Sequence, residues 1–184
     1  MPLTSKDDQL IDSIIKKYPR SRSAIMPLLH LAQARDGYVT PESIEVIANK
    51  LSLETAEVTA VATFYTQYKR KPVGEYHVGV CTNTLCAVMG GDAIFDALKD
   101  HLGVENDEVT SDGKVSVEHI ECNAACDYAP VVMVNWEFYD NQTVQSAKDL
   151  VDSCRAGNPP APTRGPNKLP TWKENSELLA GIND

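Results

Sequence analysis

The chain has 184 residues, of which 42% are hydrophobic and 23% charged, a balance that excludes a disordered chain. This length provides one ordinary domain or two small ones. The net charge of -9 is concentrated in residues 75–156, which carry -11, and this excludes nucleic acid as a first-order partner. No apolar run is long enough to span a membrane, and residues 1–8 show no signal segment, so we expect a soluble cytoplasmic protein.

Residues 1–72 have the periodicity of four short helices, which predicts a small N-terminal helical bundle. Thr40-Pro41 predicts the start of the third helix, with a side-chain cap and a proline at the first helical position. Ser52 is a candidate cap for the fourth. His30 is interpreted as a packed or surface histidine, because nothing in this region has a catalytic pattern. The apolar positions of the four faces are Leu10, Ile11, Ile14, Ile15, Tyr18, Ile25, Leu28, Leu29, Ala32, Ile44, Ile47, Leu51, Val58, Val61, Tyr65 and Tyr68.

Residues 73–156 have the pattern of an α/β domain, and Pro72-Val73-Gly74 marks its boundary. A β-rich run over 76–80 precedes a helix containing Ile94 and Leu98. A strand over 115–120 and a long strand over 131–139 follow, the latter bending into a hairpin near Asp140-Asn141. A helix over 144–155 closes an order of β-α-β-β-α. His77 and His119 are interpreted as packing residues within strands.

Residues 157–184 contain five prolines and three glycines, which predicts an extended Pro-rich C-terminal tail. Its apolar residues are too many for an inert linker. The tail is therefore expected either to dock on a partner or to pack on its own domain, with disorder as the remaining alternative. These apolar residues are Leu169, Trp172, Leu178, Leu179 and Ile182.

Four of the five cysteines are paired by spacing, Cys81 with Cys86 and Cys122 with Cys126, and the pairs are 35 residues apart. Each pair follows a predicted strand, so both loops can meet at one edge of a sheet. Four thiolates are a soft ligand set that suits zinc or an iron–sulfur cluster. Cys154 stands apart and is interpreted as a semi-buried bystander.

The spacing favours iron–sulfur over zinc, and four ordinary buried thiols are a third alternative. Structural zinc prefers ligands separated by two to four residues, most often two, whereas longer spacers such as four residues occur among [2Fe–2S] proteins. Small residues in both loops, such as Thr82, Asn83 and Ala124, leave backbone N–H groups free to approach sulfur. A thiol–disulfide enzyme is disfavoured because Cys-x-x-Cys is absent.

The segments Cys81-Thr-Asn-Thr-Leu-Cys86 and Glu121-Cys-Asn-Ala-Ala-Cys-Asp-Tyr-Ala-Pro130 resemble the thioredoxin-like [2Fe–2S] ferredoxin family. The likeness covers roughly residues 10–156 and includes Val61-Ala-Thr-Phe-Tyr-Thr-Gln-Tyr68. Two positions depart from the usual pattern: Ala124 replaces a frequent glycine and Leu85 a frequent proline. The resemblance implies a thioredoxin-like α/β domain in which Cys81, Cys86, Cys122 and Cys126 bind one [2Fe–2S] cluster.

The resemblance is strongest to family members in respiratory NADH-quinone oxidoreductase (complex I). It implies an electron-transfer protein in the peripheral arm, on the cytoplasmic side of the inner membrane. There it would exchange electrons with FMN on a flavoprotein partner that also binds NADH. No catalytic acid, base or nucleophile is assigned to this chain. The alternatives are an equivalent component of an NAD-linked hydrogenase or formate dehydrogenase, or a zinc-stabilised interaction module.

Acidic residues beside the cysteines predict a low reduction potential. Reduction adds one negative charge to a domain already at -11, with Glu121 and Asp127 adjacent to proposed ligands. Replacing Asp127 with Asn should therefore raise the potential, unless the carboxylate is screened by water.

Overall fold

The computed structural model describes residues 3–4 and 7–182, so the predictions for residues 1–2, 5–6 and 183–184 lie outside the described residues. The chain divides into two compact units. One comprises Met1–Pro72 together with Trp172–Asp184, and the other comprises Val73–Thr171. Across the described ranges, no helix has the length and apolar character needed to cross a membrane.

The first unit is helical, as the periodicity predicts. Its helices are α1 (Asp8–Lys16), α2 (Ile25–Asp36), α3 (Pro41–Leu51), α4 (Thr55–Phe64) and, from the end of the chain, α8 (Trp172–Leu179). Helix α8 packs against α2. The side chain of Trp172 donates a hydrogen bond of 2.7 Å from Nε1 to the carbonyl oxygen of Gly37. The last part of the predicted tail therefore completes this bundle.

Helix starts in this unit follow local side-chain chemistry. Thr40 Oγ1 accepts a hydrogen bond of 3.1 Å from the backbone N–H of Ser43, which confirms the predicted cap of α3. The prediction for Ser52 is wrong, because this residue ends α3 in a left-handed conformation. Instead, α4 begins at a capping box in which Glu57 Oε2 accepts from the backbone N–H of Glu54 at 3.0 Å.

The second unit is an α/β domain built on a five-stranded mixed sheet. Its strands are β1 (Tyr76–Cys81), β2 (Glu108–Val109), β3 (Val115–Ile120), β4 (Val132–Val134) and β5 (Glu137–Tyr139), and its helices are α5 (Thr84–Val88), α6 (Gly91–Leu102) and α7 (Val144–Arg155). The strand order is β2-β3-β1-β4-β5. Strands β1 and β3 are parallel, and the other pairs are antiparallel. Helices α6 and α7 pack against each other and against the central strands.

Alternation along the strands separates two faces of this sheet. Val78, Val80, Val117 and Val132 point into the core formed with α6 and α7 and are fully buried. Cys81 belongs to the smaller apolar cluster that gathers at the cysteine loops. Ile120 of β3 and Met133 of β4 belong to the same cluster, so one face of the central strands packs against the helices and the other contributes to the cluster at the cysteine loops.

Two predictions about this region are corrected. The hairpin turns at Asn135-Trp136, not near Asp140-Asn141, and both residues have positive φ, 49° and 72°. The amide of Asn135 holds this turn, because its oxygen accepts from the N–H of His77 at 2.7 Å and its nitrogen donates to Pro170 O at 2.9 Å. The predicted tail is also divided, with residues 157–171 in the α/β unit and α8 in the helical unit.

Candidate metal centre

The parallel pair β1–β3 brings both cysteine loops to one edge of the sheet. Cys81 is the last residue of β1 and is paired in register with Ile120, the last residue of β3. Cys122 follows Ile120 by two residues. Because parallel strands end at the same edge, cysteine pairs separated by 35 residues of sequence become neighbours, as the sequence predicts.

The first loop places Cys86 on the short helix α5. Asn83 precedes this helix, and its side-chain oxygen accepts a hydrogen bond of 3.1 Å from the N–H of Thr84. Gly91, at the start of α6, packs tightly beneath the loop. A Cβ atom on Gly91 would lie 2.4 Å from the carbonyl oxygen of Cys81 and 2.9 Å from that of Cys86. Only glycine allows this approach.

The second loop turns sharply around its own sulfur atoms. Ala124 has a φ of 55°, and its N–H donates to Cys122 Sγ at 3.3 Å. The Sγ atoms of Cys122 and Cys126 are 3.8 Å apart. Two thiolates sharing a tetrahedral metal at bonds of about 2.3 Å would be separated by about 3.8 Å. The second pair is therefore spaced as ligands of one metal atom would be.

All four paired cysteines line one small cavity, together with Asn123, Ala125 and Val131. Cys81 and Cys86 are buried, and Cys122 and Cys126 are exposed. In residues 3–4 and 7–182, no group of three or more His, Cys, Asp or Glu is placed to hold a single metal ion.

A polar atom in this cavity supports the same interpretation. The side-chain nitrogen of Asn123 is buried and has no hydrogen-bond partner among the described atoms. A buried donor without an acceptor costs free energy, so such groups in native proteins usually have an acceptor. Sulfur carrying negative charge would provide one here. The donor set and this amide therefore fit a sulfur-rich anionic metal group.

Burial raises the pKa of two free thiols, and a neighbouring thiol raises that of a third. It raises the pKa of Cys86 to about 11, and a hydrogen bond with Cys122 raises the pKa of Cys126. Cys154 lies away from the cavity in the core of the α/β unit, fully buried, where desolvation raises its pKa to about 12. Cys154 does not line the cysteine cavity, and it is fully buried where we expected a semi-buried thiol.

Charged and apolar residues around the cavity were only partly predicted. Glu121 Oε2 accepts a hydrogen bond of 3.0 Å from Asn83, which links the two cysteine loops. The side chain of Asp127 is 63% exposed and lies 4.0 Å from the Arg164 guanidinium. Neither Asn83 nor Arg164 carries a motif that would reveal its role. Large exposed side chains also flank the loops: Leu85, Val88, Met89 and Tyr128.

His77 packs away from this cavity, as predicted, whereas His119, which was also predicted to pack within its strand, is exposed. His77 is buried, and its ring nitrogens lie 2.9 Å from Ser116 Oγ and 2.8 Å from Glu118 Oε2. His30 is buried in the helical unit. Neither of these two buried histidines lines the cysteine cavity.

Comparison with known proteins gives concordant results. Residues 11–155 match the family described as thioredoxin-like [2Fe-2S] ferredoxin. The chain is 64% identical over 171 residues to the E subunit of NADH-quinone oxidoreductase from Mycobacterium tuberculosis, covering 93% of this chain and 68% of the relative. It is 44% identical over 153 residues to the E subunit of NADH-quinone oxidoreductase from Rickettsia bellii, covering 82% of this chain and 92% of the relative.

A solved structure shows the same fold at lower sequence identity. Air-oxidised NAD⁺-reducing [NiFe]-hydrogenase aligns with 73% of this chain and 23% of its own, at a TM-score of 0.64 and 19% identity. At this identity the likeness concerns the fold alone.

Proposed function

Because the chain belongs to the thioredoxin-like [2Fe-2S] ferredoxin family, we propose that Cys81, Cys86, Cys122 and Cys126 bind one [2Fe–2S] cluster. The observation that carries this proposal is the single cavity lined by all four thiols. The 3.8 Å separation of Cys122 and Cys126 supports two thiolates on each iron, with Cys81 and Cys86 forming the other pair. When bound, the cluster takes up and releases one electron.

The chain itself supplies a shaped and partly dry site. Cys81 and Cys86 are each 3% exposed, so their side is closed to water. Cys122 and Cys126 lie at the surface. The N–H of Ala124 donates to Cys122 Sγ, and such bonds to sulfur stabilise the negative charge that the ligands carry.

The chain functions as the E subunit of an NADH-quinone oxidoreductase, a conclusion supported by relatives of that name at 64% and 44% identity. Its role is electron transfer within this oxidoreductase. The partner is a flavoprotein that binds FMN and NADH, and the assembled complex places this chain in a peripheral arm on the cytoplasmic side of the membrane. The exposed apolar side chains Leu85, Val88 and Met89 beside the cysteine loops support a partner at this face.

An equivalent component of an NAD-linked hydrogenase or formate dehydrogenase is the alternative. The fold shared with the NAD⁺-reducing hydrogenase supports it, but at only 19% identity. Co-purification from the native host separates the two assignments. Recovery with a flavoprotein and membrane-bound proteins supports the quinone oxidoreductase, whereas recovery with a NiFe or formate-oxidising protein supports the alternative.

The ligand assignment is tested by the metal content of anaerobically purified protein. The wild type is expected to hold two iron atoms and two acid-labile sulfides per chain. Each of the four single Cys→Ser variants is expected to lose this content, whereas Cys154→Ser keeps it. Stoichiometric zinc without sulfide in the wild type would refute the [2Fe–2S] cluster and support the alternative of a zinc-stabilised interaction module.

A further inference from the structure

The segment after α7 is laid along the free edge of β5 by specific hydrogen bonds. Thr163 donates through its N–H to the carbonyl oxygen of Phe138 at 2.8 Å, and its Oγ1 accepts from the N–H of Asp140 at 3.1 Å. The Tyr139 hydroxyl donates to Pro160 O at 2.7 Å. These contacts fix the next residue, Arg164, which forms a bridge with Phe138.

Arg164 is directed toward the second cysteine loop and contacts it with both its charge and its planar face. Its guanidinium lies 5.4 Å from the ring centre of Tyr128 and 4.8 Å from that of Phe138. It pairs with Asp140 at 2.6 Å and lies 4.0 Å from Asp127, the residue after Cys126. Cation–π stacking and a charged hydrogen bond together hold the group in one orientation.

The surroundings make this arginine an electrostatic element of the site. The side chain of Asp140 is only 8% exposed, so its charge is compensated by a fixed partner. The α/β unit is acidic, with six Lys or Arg, Arg164 included, against fifteen Asp or Glu over residues 73–171. Arg164 therefore places a positive charge beside one cysteine loop in a domain that has few. It also lies outside residues 11–155, which match the family.

We propose that Arg164 is a positioning residue that holds the Cys122–Cys126 loop and raises the reduction potential of the cluster. The inference rests on the proposed cluster ligation. Reduction adds one negative charge, so a nearby fixed cation stabilises the reduced form, and the adjacent carboxylate of Asp127 acts in the opposite direction. The segment after α7 thus contributes to the electron-transfer site.

The test is an EPR-monitored redox titration of the cluster-loaded chain. Arg164→Gln is expected to lower the reduced-to-oxidised ratio at the wild-type midpoint by about three- to tenfold, the range for a partly screened charge. Arg164→Lys retains the charge, so its reduced-to-oxidised ratio should be close to that of the wild type. The matched control is Arg155→Gln, because Arg155 also pairs with one aspartate, Asp112, at 2.6 Å and has the same side-chain exposure of 38%. This control should leave the ratio unchanged.

Arg164→Gln leaves the buried carboxylate of Asp140 without its cationic partner, and this could destabilise the variant. A second pair of variants therefore tests the same effect without a lone buried charge. In an Asp140→Asn background no buried charge is left alone, and adding Arg164→Gln should again lower the potential. Equal shifts for Arg164→Gln and Arg155→Gln, or no shift in the Asp140→Asn background, would overturn the inference and leave the cluster assignment intact. A wild type without iron and sulfide would instead refute the proposed function itself.

Discussion

The side-chain nitrogen of Asn83 donates a hydrogen bond of 3.0 Å to Glu121 Oε2, and this contact joins the two cysteine loops across 38 residues of sequence. The same asparagine caps α5 through its oxygen, which accepts from Thr84 N. One side chain thus orders the helix that carries Cys86 and links it to the residue before Cys122. The two halves of the site are connected independently of any bound metal.

This contact predicts that Glu121→Ala loses iron to a chelator faster than Glu121→Gln. Both variants remove one negative charge, but only the glutamine retains an oxygen that accepts from Asn83. A lost hydrogen bond of about 1 kcal/mol corresponds to a roughly fivefold faster loss. The measurement is the decay of visible absorbance in excess chelator. Equal rates for the two variants would show that the contact does not secure the loops.

Gly91 gives a steric prediction. Gly91→Ala is expected to abolish or strongly reduce iron content, because its Cβ would meet the carbonyl oxygens of Cys81 and Cys86 at 2.4 and 2.9 Å. Gly103→Ala is the control. Gly103 has a φ of 66° and no atom within 4 Å of a Cβ, so its replacement costs about 1 kcal/mol without a clash. Iron retained equally in both variants would contradict the close approach at Gly91.

Replacing Ala124 with glycine is expected to stabilise the protein. Its φ of 55° lies in the left-handed region, where a residue with a Cβ is disfavoured by about 1–2 kcal/mol. Ala124→Gly should therefore be more stable than Ala125→Gly by about 1 kcal/mol, since Ala125 has an ordinary φ of -101° and gains nothing. Urea denaturation of the two variants gives the difference. A less stable Ala124→Gly would argue against this loop conformation.

Asn123 gives a prediction for the reduction potential. Asn123→Leu removes the buried amide donor at nearly constant volume, and hydrogen bonds to sulfur favour the reduced, more negative state. The potential should fall in a redox titration. Asn49→Leu is a control, because Asn49 is exposed on α3 of the helical unit and does not line the cavity. An unchanged potential in Asn123→Leu would mean that the amide does not face the cluster.

His30 makes the helical unit sensitive to acid. Burial lowers its pKa to about 4, against about 6.5 in the unfolded chain. Between these values the unfolded state binds the proton more strongly, so stability is present above pH 6.5 and is lost as the pH falls toward 4. Wild type should lose about 2 kcal/mol more than His30→Phe between about pH 7 and about pH 5, measured by urea denaturation. If the free energy of unfolding changes with pH equally in wild type and His30→Phe, His30 does not contribute to the acid sensitivity.

Strong local signals made much of the fold predictable. The helix Val144–Arg155 and the strand Val115–Ile120 have the predicted bounds, because a Thr143 cap and an alternating apolar strand leave few alternatives. The meeting of the four cysteines was predictable because the ends of parallel strands share one edge. The hairpin was not. Its turn depends on Trp136 at a φ of 72°, which local preference disfavours and which the tertiary hydrogen bonds of Asn135 stabilise.

The residues that surround the cysteines could not be predicted, because their tertiary contacts are not encoded in the spacing of motifs along the sequence. Arg164 is one of seventeen Lys or Arg residues and follows a proline-rich stretch, so nothing in its neighbourhood indicates an approach to Asp127. The predicted effect of Asp127→Asn on the potential remains a prediction. Because Asp127 is 63% exposed and close to Arg164, we expect its effect to be small.

The most direct test of the central claim is the visible and EPR spectrum of anaerobically purified protein before and after dithionite. A red-brown oxidised protein that gives a rhombic EPR signal on reduction, with a mean g value below that of the free electron, is the predicted result. It would establish a [2Fe–2S] electron carrier. A colourless protein with stoichiometric zinc and no signal after dithionite would contradict this function.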